Sequence, residues 1–400
     1  MNDTRNGERI RLLTMVCNFE TGGTEGQVLT LLKNLNPERF DLQVACLEKN
    51  GSLLQDYEAL NIPVNEFKIG KLYSLATFLQ IRKLARFMRD ERIQIVHCYN
   101  FYALMIGIPA AKLAGVPVKL VAIRDRGVYL TRAKKFLQRF VCNMADDILV
   151  NADSIRDWLL EEGYPSDNIS VIKNACDMDR YRKAPPSSIR RDFGIAKTVR
   201  IVVMIARLNR QKGVEEFIRA AGIVGQKFPD VDFLLVGKPS IESTAASKFG
   251  ISEFEQWVSL IDDLTMSKRI LFTGNRTDIP SILKESTISV LPSHSEGLSN
   301  VLLESMAAGV PTIASDTGGT PELVEHNRNG LLVPVQDYVA LAKAMVTILD
   351  DDALAEKFSR LAVKKAEEEF SIDRMVRDTQ IFYFSKIYDD LNVSVTKYSL

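Results

Sequence analysis

Short apolar runs alternate with helix-length amphipathic segments along this chain, and the alternation starts a second time near residue 187. Buried strands that alternate with helices are typical of parallel sheets covered on both faces. The runs are RLLTMVC, DLQVACL, IQIVHC, VKLVAIR, DILVNA and ISVIKNA, then RIVVMIA, DFLLVG, ILFTG, ISVLPS, PTIAS and GLLVPV. The pattern predicts two doubly wound, Rossmann-like α/β domains with a cleft between the strand ends of both sheets. One large sheet is the alternative, and a chain of 400 residues disfavours it.

A Pro-Pro-Ser-Ser cluster at residues 185–188 separates the two halves. We therefore expect domains over residues 1–180 and 181–370, followed by a C-terminal segment over 371–400. The helical spacing of apolar residues predicts a helix over 371–391, with Met375, Thr379, Phe382, Phe384 and Ile387 on it. We expect this helix to pack back on the N-terminal domain, and the core of the second domain is the alternative.

Charge and cysteine usage exclude several classes of protein. The chain has 51 basic and 51 acidic residues, so no net charge draws it to nucleic acid. Five scattered cysteines form no CxxC, which disfavours a disulfide framework and a zinc site and indicates reduced, buried thiols in a cytosol.

The polar N-terminus lacks signal-peptide character, and the most apolar window, residues 101–123, is interrupted by prolines, a glycine and lysines. We expect a cytoplasmic protein without a transmembrane span.

The most informative segment is SHSEGLSNVLLESMAAGVPTIASDTGGTPELV, residues 293–324. After a strand and a turn at Gly297, Ser299 or Asn300 caps a helix that ends at the Gly-Val-Pro sequence. The helix start faces the predicted cleft. A polar loop that leads into a helix at this edge of a parallel sheet is typical of a ligand site.

The start of this predicted helix suits a diphosphate. Backbone N–H groups at Ser299, Asn300 and Val301, with the positive end of the helix dipole, favour anions. Glu304 lies about one turn into the helix, where its carboxylate can accept two ribose hydroxyl protons. Glu296, in the loop before the helix, is expected to reach a sugar. The alternative is that the two glutamates are ordinary surface charges.

Phosphate oxygens beside carboxylates call for a nearby cation. In RIVVMIARLNRQKG, Arg207 follows the first strand of the second domain, and Lys212 lies in the turn before Gly213. Two fixed positive charges stabilise a departing diphosphate as its charge develops, so such a site needs no divalent metal. Surface positions for both residues are the alternative.

A glycine pair lies between the first strand and the first helix, in FETGGTEGQ. Gly22 and Gly23 let backbone amides approach an anion or a sugar closely. The segment lacks the GxGxxG and GK[ST] spacings, so use of nicotinamide cofactors or ATP is not supported.

Together these segments resemble the family 4 glycosyltransferases of GT-B fold. The resemblance rests on TGGTE, ARLNRQKG, PSHSEG, the two glutamates 296 and 304, AAGVPTIAS and GGTPELV, and it covers about residues 10–385. It implies a metal-independent hexosyltransferase that retains anomeric configuration and uses an NDP-sugar, with UDP-sugar favoured over GDP-sugar. The N-terminal domain would bind the acceptor, a hydroxyl of a glycan or lipid-linked molecule in surface polysaccharide or glycolipid biosynthesis. The C-terminal domain would bind the NDP-sugar.

By position, Glu304 resembles the ribose ligand and Glu296 the donor-sugar ligand. Arg207 and Lys212 resemble the diphosphate cations, and Gly23 lines the donor and acceptor side of the cleft.

Two segments depart from the family pattern. Members often carry H-x-H in the first domain, whereas IVHCYN has His97 followed by Tyr99. A role for His97 in positioning the donor sugar and a place in the core remain equal alternatives.

The linker motif PNGVD is KNACD here, residues 173–177. Asp177-Met178-Asp179 mimics a metal-binding DxD, but helix capping fits its linker position better. We also expect His294 and His326 to be loop residues, and a contact of His294 with Glu296 is the alternative for the former.

Residues 68–139 carry fifteen basic and three acidic side chains. One amphipathic helix there has Arg82, Lys83, Arg86 and Arg89 interleaved with Leu72, Phe78, Leu79, Phe87 and Met88; Lys134, Lys135 and Arg139 follow on another. This suits an anionic membrane surface that presents a lipid-linked acceptor, with peripheral attachment at the inner face. A solvated basic face is the alternative. Arg124, Asp125 and Arg126, at a strand end, are candidates for holding an anionic acceptor.

Other functions share this architecture. A nucleotide-sugar epimerase of GT-B fold would convert the donor without an acceptor. A catalytically silent module would bind sugar nucleotides and release nothing.

Overall fold

The computed structural model describes residues 9–70, 72–128, 130–240 and 251–388. They form two compact units: the described residues up to Asn174 with those from Ile372 onward, and the described residues of Ala175–Ser371. Each unit contains one parallel sheet. The parts of the predicted ranges at residues 1–8 and 389–400 lie outside the described residues.

Strands and helices alternate along both units. The strands are β1 Ile10–Val16, β2 Phe40–Cys46, β3 Val64–Glu66, β4 Ile95–Tyr99, β5 Val118–Ile123, β6 Asp147–Val150, β7 Ile169–Val171, β8 Arg200–Ile205, β9 Val231–Val236, β10 Ile270–Gly274, β11 Ile288–Leu291, β12 Thr312–Ser315 and β13 Gly330–Val333. The helices are α1 Gly23–Asn34, α2 Leu54–Glu58, α3 Leu75–Asp90, α4 Phe101–Ala114, α5 Arg132–Cys142, α6 Asp153–Glu161, α7 Met178–Arg182, α8 Ile189–Phe193, α9 Val214–Lys227, α10 Glu253–Asp263, α11 Ile279–Glu285, α12 Asn300–Ala307, α13 Thr320–Leu323, α14 Tyr338–Leu349, α15 Asp352–Glu369 and α16 Ile372–Tyr388.

The first unit has the strand order β3-β2-β1-β4-β5-β6-β7, with all pairs parallel. Every residue of β4 is buried, as expected for a strand covered on both faces. The order reverses between β1 and β4, where Thr14 pairs with His97. Loops after these two strands therefore leave the sheet at a topological switch point, the usual ligand position in such sheets.

The C-terminal helix α16 packs on this first unit. It contacts α1, and the ring of its buried Tyr383 lies 6.0 Å from that of Phe40 in an edge-to-face arrangement. Farther along the helix, Lys386 Nζ lies 2.7 Å from a carboxylate oxygen of Asp147, which is 2% exposed. Aromatic burial and a shielded ion pair therefore hold the end of the chain against the first sheet.

The second unit has the order β10-β9-β8-β11-β12-β13, again all parallel, with its switch point between β8 and β11. Its core is formed by strand residues and the inner faces of α9, α14 and α15, including Phe217, Phe233, Met345 and Phe358. The predicted fold class, two doubly wound Rossmann-like domains, is confirmed.

Two further features bear on the sequence predictions. All five cysteines are free, and four of them are buried. Within the described ranges, no helix has the length and apolar character needed to cross a bilayer. The apolar window at residues 101–123 is helix α4 followed by β5, and α4 contains Pro109.

Candidate active site

In the second unit, the loops after β8 and β11 approach each other closely. Gly213 ends the turn after β8 with φ of +76°, and a Cβ at this position would lie 2.0 Å from the carbonyl oxygen of Pro292, which follows β11. Only glycine combines this left-handed backbone with such an approach. Beside it, the Asn209 side chain accepts a hydrogen bond from the Lys212 amide at 3.1 Å. The turn that carries Lys212 is thereby fixed against the start of the loop that carries Glu296.

Lys212 and Glu296 form an ion pair at this edge. Lys212 Nζ lies 2.6 Å from Glu296 Oε1, and the two side chains are 29% and 10% exposed. A second glycine contact supports the pair: Gly318, at φ of +53°, lies so close that a Cβ there would be 1.9 Å from the Glu296 carbonyl oxygen. The two predicted residues are brought together, but each is the other's partner.

Helix α12 begins at this loop. Ser299 is the N-cap, and its hydroxyl accepts a hydrogen bond from the Leu302 amide at 3.4 Å. The Leu303 amide donates to the Ser299 carbonyl at 3.2 Å. Among the described residues, the amides of Ser299 and Val301 find no acceptor, as is typical of a first helical turn. The helix start therefore presents donors to an anion.

Glu304, one turn into α12, is partly buried and contacts the segment that begins the second unit. The hydroxyl of Tyr181 on α7 is hydrogen-bonded to it, and Arg180 lies nearby. Burial raises the pKa of Glu304 to about 7, while Arg180 and the Tyr181 hydroxyl act in the opposite direction. The carboxylate is thus held in place but incompletely solvated, which suits it to accept hydrogen bonds from a ligand.

Arg207, two residues after the end of β8, is exposed. Within the described residues its guanidinium has no hydrogen bond and no ion pair. An exposed guanidinium near the strand edge can bind a phosphate oxygen without first breaking an internal contact.

His294 lies in a loop, as expected. Its Nε2 lies 2.8 Å from Glu216 Oε1 on α9, rather than against Glu296. The reason is the loop path, because the His294 amide bonds the Gln211 carbonyl and so directs the side chain towards α9. The capping interpretation of Asp177 is confirmed, since its carboxylate accepts from the Arg180 amide at 3.1 Å as the N-cap of α7.

In the first unit, Gly22 and Gly23 lie where α1 begins. Gly22 is the N-cap with an extended backbone, φ of −148°, so conformation does not require glycine there. The limited space at this position does require glycine, because a Cβ on Gly22 would lie 2.3 Å from Glu25 Oε2. Glu25 in turn accepts from the Asn100 side chain at 2.7 Å. Gly22 therefore leaves room for a carboxylate that links the ends of β1 and β4.

His97 lies inside β4 and is 2% exposed. Its Nδ1 is 2.8 Å from the Tyr383 hydroxyl and 3.1 Å from the Tyr99 hydroxyl. Its buried Nε2 has no hydrogen-bond partner in the described part of the chain. Burial, with a smaller contribution from Arg124, lowers the pKa of His97 to about 3, so the ring is neutral at ordinary pH.

Three contributors were missed by the sequence reasoning. Tyr383 reaches His97 from 286 positions along the chain, which no local pattern reveals. Tyr181 lies in the linker, where only helix capping was expected. Gly213 was read as a turn residue, although its position next to Lys212 was a usable signal. In the described residues, no cluster of three or more His, Cys, Asp or Glu side chains is arranged to hold a metal ion.

Two doubly wound parallel-sheet units of this order are the architecture of the GT-B fold. The family described as Glycosyltransferase Family 4 matches residues 21–180, and the one described as Glycosyl transferases group 1 matches residues 187–365. The chain belongs to the family 4 glycosyltransferases of GT-B fold, and it is a glycosyltransferase.

Curated relatives agree with this assignment. UDP-Gal:alpha-D-GlcNAc-diphosphoundecaprenol alpha-1,3-galactosyltransferase of Escherichia coli is 27% identical over 82% of this chain and 84% of its own. N-acetyl-alpha-D-glucosaminyl L-malate synthase of Bacillus anthracis is 26% identical over 83% and 84%. Among solved structures, Anabaena HepE in complex with UDP and glucose aligns with a TM-score of 0.82 at 21% identity, over 94% of this chain and all of that one.

Proposed function

We propose that this protein transfers a sugar from a UDP-sugar to a hydroxyl of a glycan or lipid-linked acceptor, with retention of configuration and without a divalent metal. The observation that carries the proposal is the loop and helix start at the switch point of the second unit. The backbone donors and Lys212 there match a diphosphate, and Glu304 matches a ribose. UDP is favoured because HepE was crystallised with it and the E. coli relative is named for UDP-Gal.

In this mechanism, the diphosphate binds at the amides of Ser299, Asn300 and Val301. Their donors and the helix dipole stabilise negative charge without reorganising. Lys212, held by Glu296 before the donor arrives, takes up charge on the departing diphosphate, and Arg207 adds a second cation. The Lys212–Glu296 contact thus pre-orients the lysine and lowers the entropic cost of using it.

Glu304 accepts the ribose hydroxyl protons, and Glu296 binds a hydroxyl of the transferred sugar with its second oxygen. The acceptor hydroxyl attacks on the face from which the diphosphate leaves. We assign Gly22, Gly23 and His97 of the first unit to the sugar and acceptor. The neutral imidazole of His97 would bind by hydrogen bonding rather than by charge.

The first unit is proposed to bind an anionic membrane surface. On α3, Leu75, Phe78 and Leu79 are 75%, 51% and 57% exposed, and on α5 Phe136 and Phe140 are 66% and 57% exposed. Both helices contact α4 and carry the basic residues predicted above. Exposed aromatic and aliphatic groups beside lysine and arginine favour the interface of an anionic bilayer.

Liposome flotation tests this part. We expect the protein to float with vesicles that contain phosphatidylglycerol and to remain behind with pure phosphatidylcholine, and Phe136→Ser/Phe140→Ser to lose most of the bound fraction. Equal binding to both vesicle types would reject the membrane role without affecting the donor assignment.

A panel of nucleotide sugars tests the transferase proposal. Purified protein is incubated with UDP- and GDP-sugars, with and without crude polyprenyl-linked glycan as acceptor, and released NDP is measured. We expect UDP release that increases with acceptor. Net epimerisation with the nucleotide still attached would favour the epimerase alternative, and binding without turnover would favour the silent module.

A further inference from the structure

A small cavity lies inside the first unit, next to His97. Its volume is about 30 Å³, enough to hold ordered water or one end of a polar group. Its lining includes polar side chains from five different elements or loops: Gln27, His97, Tyr99, Arg124, Lys173 and Thr379. Arg124 and Lys173 are cations, whereas no aspartate or glutamate is among the described residues that line it.

Arg124 is the unusual group in this cavity. It follows β5 directly, and the side-chain oxygen of Asn174 is its hydrogen-bond acceptor. Within the described residues no carboxylate lies within 4 Å of its guanidinium, and Glu25 is a more distant negative charge. Burial lowers the pKa of Arg124, which reflects the poor solvation of the cation. A partly buried guanidinium that is bonded only to a neutral amide is poorly compensated unless an anion completes its surroundings.

His97 supplies a second, independent observation. Its Nε2 is buried in the cavity lining and lacks a hydrogen-bond partner among the described residues. The Arg124 charge helps to lower the pKa of this histidine, so the two groups lie within electrostatic reach of each other. A buried polar nitrogen without a partner beside an unpaired guanidinium marks a place where a ligand group is missing.

We infer that Arg124, with Lys173 and His97, forms a subsite for an anionic group of the acceptor, a phosphate or a carboxylate. The inference rests on the proposed function, since it concerns the acceptor of that reaction. Guanidinium binds either anion through two parallel hydrogen bonds, and Lys173 adds a point charge. Nε2 of His97, in the tautomer that carries the proton there, donates a further hydrogen bond.

Calorimetric titration with inorganic phosphate tests the subsite. The protein is first saturated with UDP so that phosphate cannot occupy the proposed donor site, and sodium chloride at equal ionic strength is the blank. We expect the wild type to bind phosphate, Arg124→Met to bind it at least tenfold more weakly, and UDP affinity to remain the same in both. Arg39→Met is the matched control, an exposed arginine of the same unit, and should bind phosphate like the wild type.

The outcome separates this inference from the proposed function. Absence of phosphate binding to the UDP-saturated wild type, or equal binding by Arg124→Met, overturns the subsite and leaves Arg124 as a structural ligand of Asn174. If the wild type does not bind UDP, the assignment of the donor site in the second unit is wrong instead. If Arg124→Met does not fold, Lys173→Met replaces it, and unchanged phosphate affinity there also overturns the inference. A parallel titration with malonate distinguishes a preference for carboxylate from one for phosphate.

Discussion

The two switch points have the same topology and opposite chemistry. In the second unit, the strand edge presents backbone donors, a mostly buried Lys212–Glu296 pair and the exposed Arg207. In the first unit, strand β4 at the switch point contains a buried, neutral His97, and two tyrosine hydroxyls lie near its Nδ1. A parallel sheet therefore fixes where a ligand binds, whereas the loops and packed helices decide what kind of ligand it is.

The difference also concerns how each site is held together. The charged site depends on glycines that let two loops touch, Gly213 and Gly318. The neutral site depends on α16, which brings Tyr383 from the far end of the chain. Changes at Gly213 or Gly318 should therefore affect turnover. Changes at Tyr383 should act mainly on stability.

The largest expected effect is that of Lys212→Ala. Removing a fixed cation from the departing diphosphate should lower kcat roughly 100- to 1,000-fold, with a smaller change in UDP affinity. Steady-state UDP release with the best donor of the panel measures it. Lys227→Ala is the control, because this lysine also pairs with a carboxylate, Asp350, at the other end of α9, about 20 Å away. Equal kcat for both variants would remove Lys212 from the mechanism.

Gly213→Ala should come next. The new methyl meets the Pro292 carbonyl at a left-handed φ, so we expect a loss of about 2–5 kcal/mol in the free energy of unfolding, together with reduced turnover. Gly194→Ala separates strain from collision, since Gly194 has φ of +67° and no atom within 4 Å of a Cβ. Its cost should be about 1–2 kcal/mol, with kcat retained. Urea unfolding of both variants measures the difference, and equal losses would contradict the proposed loop contact.

A change of intermediate size is expected in UDP affinity as the pH is varied. Burial raises the pKa of Glu304 to about 7 from 4.5, so the ribose-binding carboxylate form is lost as pH falls below 7. We expect UDP affinity to fall up to roughly tenfold per pH unit between 7 and 5. Glu304→Gln is the control, because UDP's own phosphate titrates equally against both proteins, and the variant should lack the additional dependence.

Two further measurements sharpen this pH prediction. The folded-state pKa of Glu304 lies above its unfolded value, so its contribution to stability is complete below pH 4.5 and is lost as pH rises through 7. Glu304→Gln should therefore be more stable than the wild type at pH 8 and not at pH 4.5. Tyr181→Phe removes a hydrogen bond that lowers this pKa, so its binding transition should move to higher pH. An unshifted transition would show that Tyr181 does not control the carboxylate.

The smallest effect is expected in the first unit, for Tyr383→Phe. Tyr99 still reaches Nδ1 of His97 at 3.1 Å, so loss of the second hydroxyl should cost about 1 kcal/mol in unfolding free energy. UDP affinity should not change. A fall in UDP affinity would contradict the comparison, because it would link the buried cluster of the first unit to the donor site.

Local patterns in the sequence were sufficient for the fold and for the backbone part of the site. Apolar runs with turn residues predicted both parallel sheets, and the SHSEGLSN segment predicted a helix capped by Ser299 or Asn300, of which the structure has Ser299. These features depend on neighbours along the chain, whose conformational preferences are readable from composition and spacing. The assigned roles of Glu296, Glu304, Arg207 and Lys212 stay predictions until the variants are measured.

Only the tertiary structure decided which side chains are partners. Lys212 pairs with Glu296 across 84 positions, Tyr181 with Glu304, and Tyr383 with His97 across 286, while His294 turned to Glu216. The same is true of the pKa of Glu304 and of Arg124, whose partner is the neutral Asn174 side chain, because burial and electrostatic surroundings arise from segments that meet only after folding. Local backbone preference is encoded residue by residue, but desolvation is a property of the packed chain.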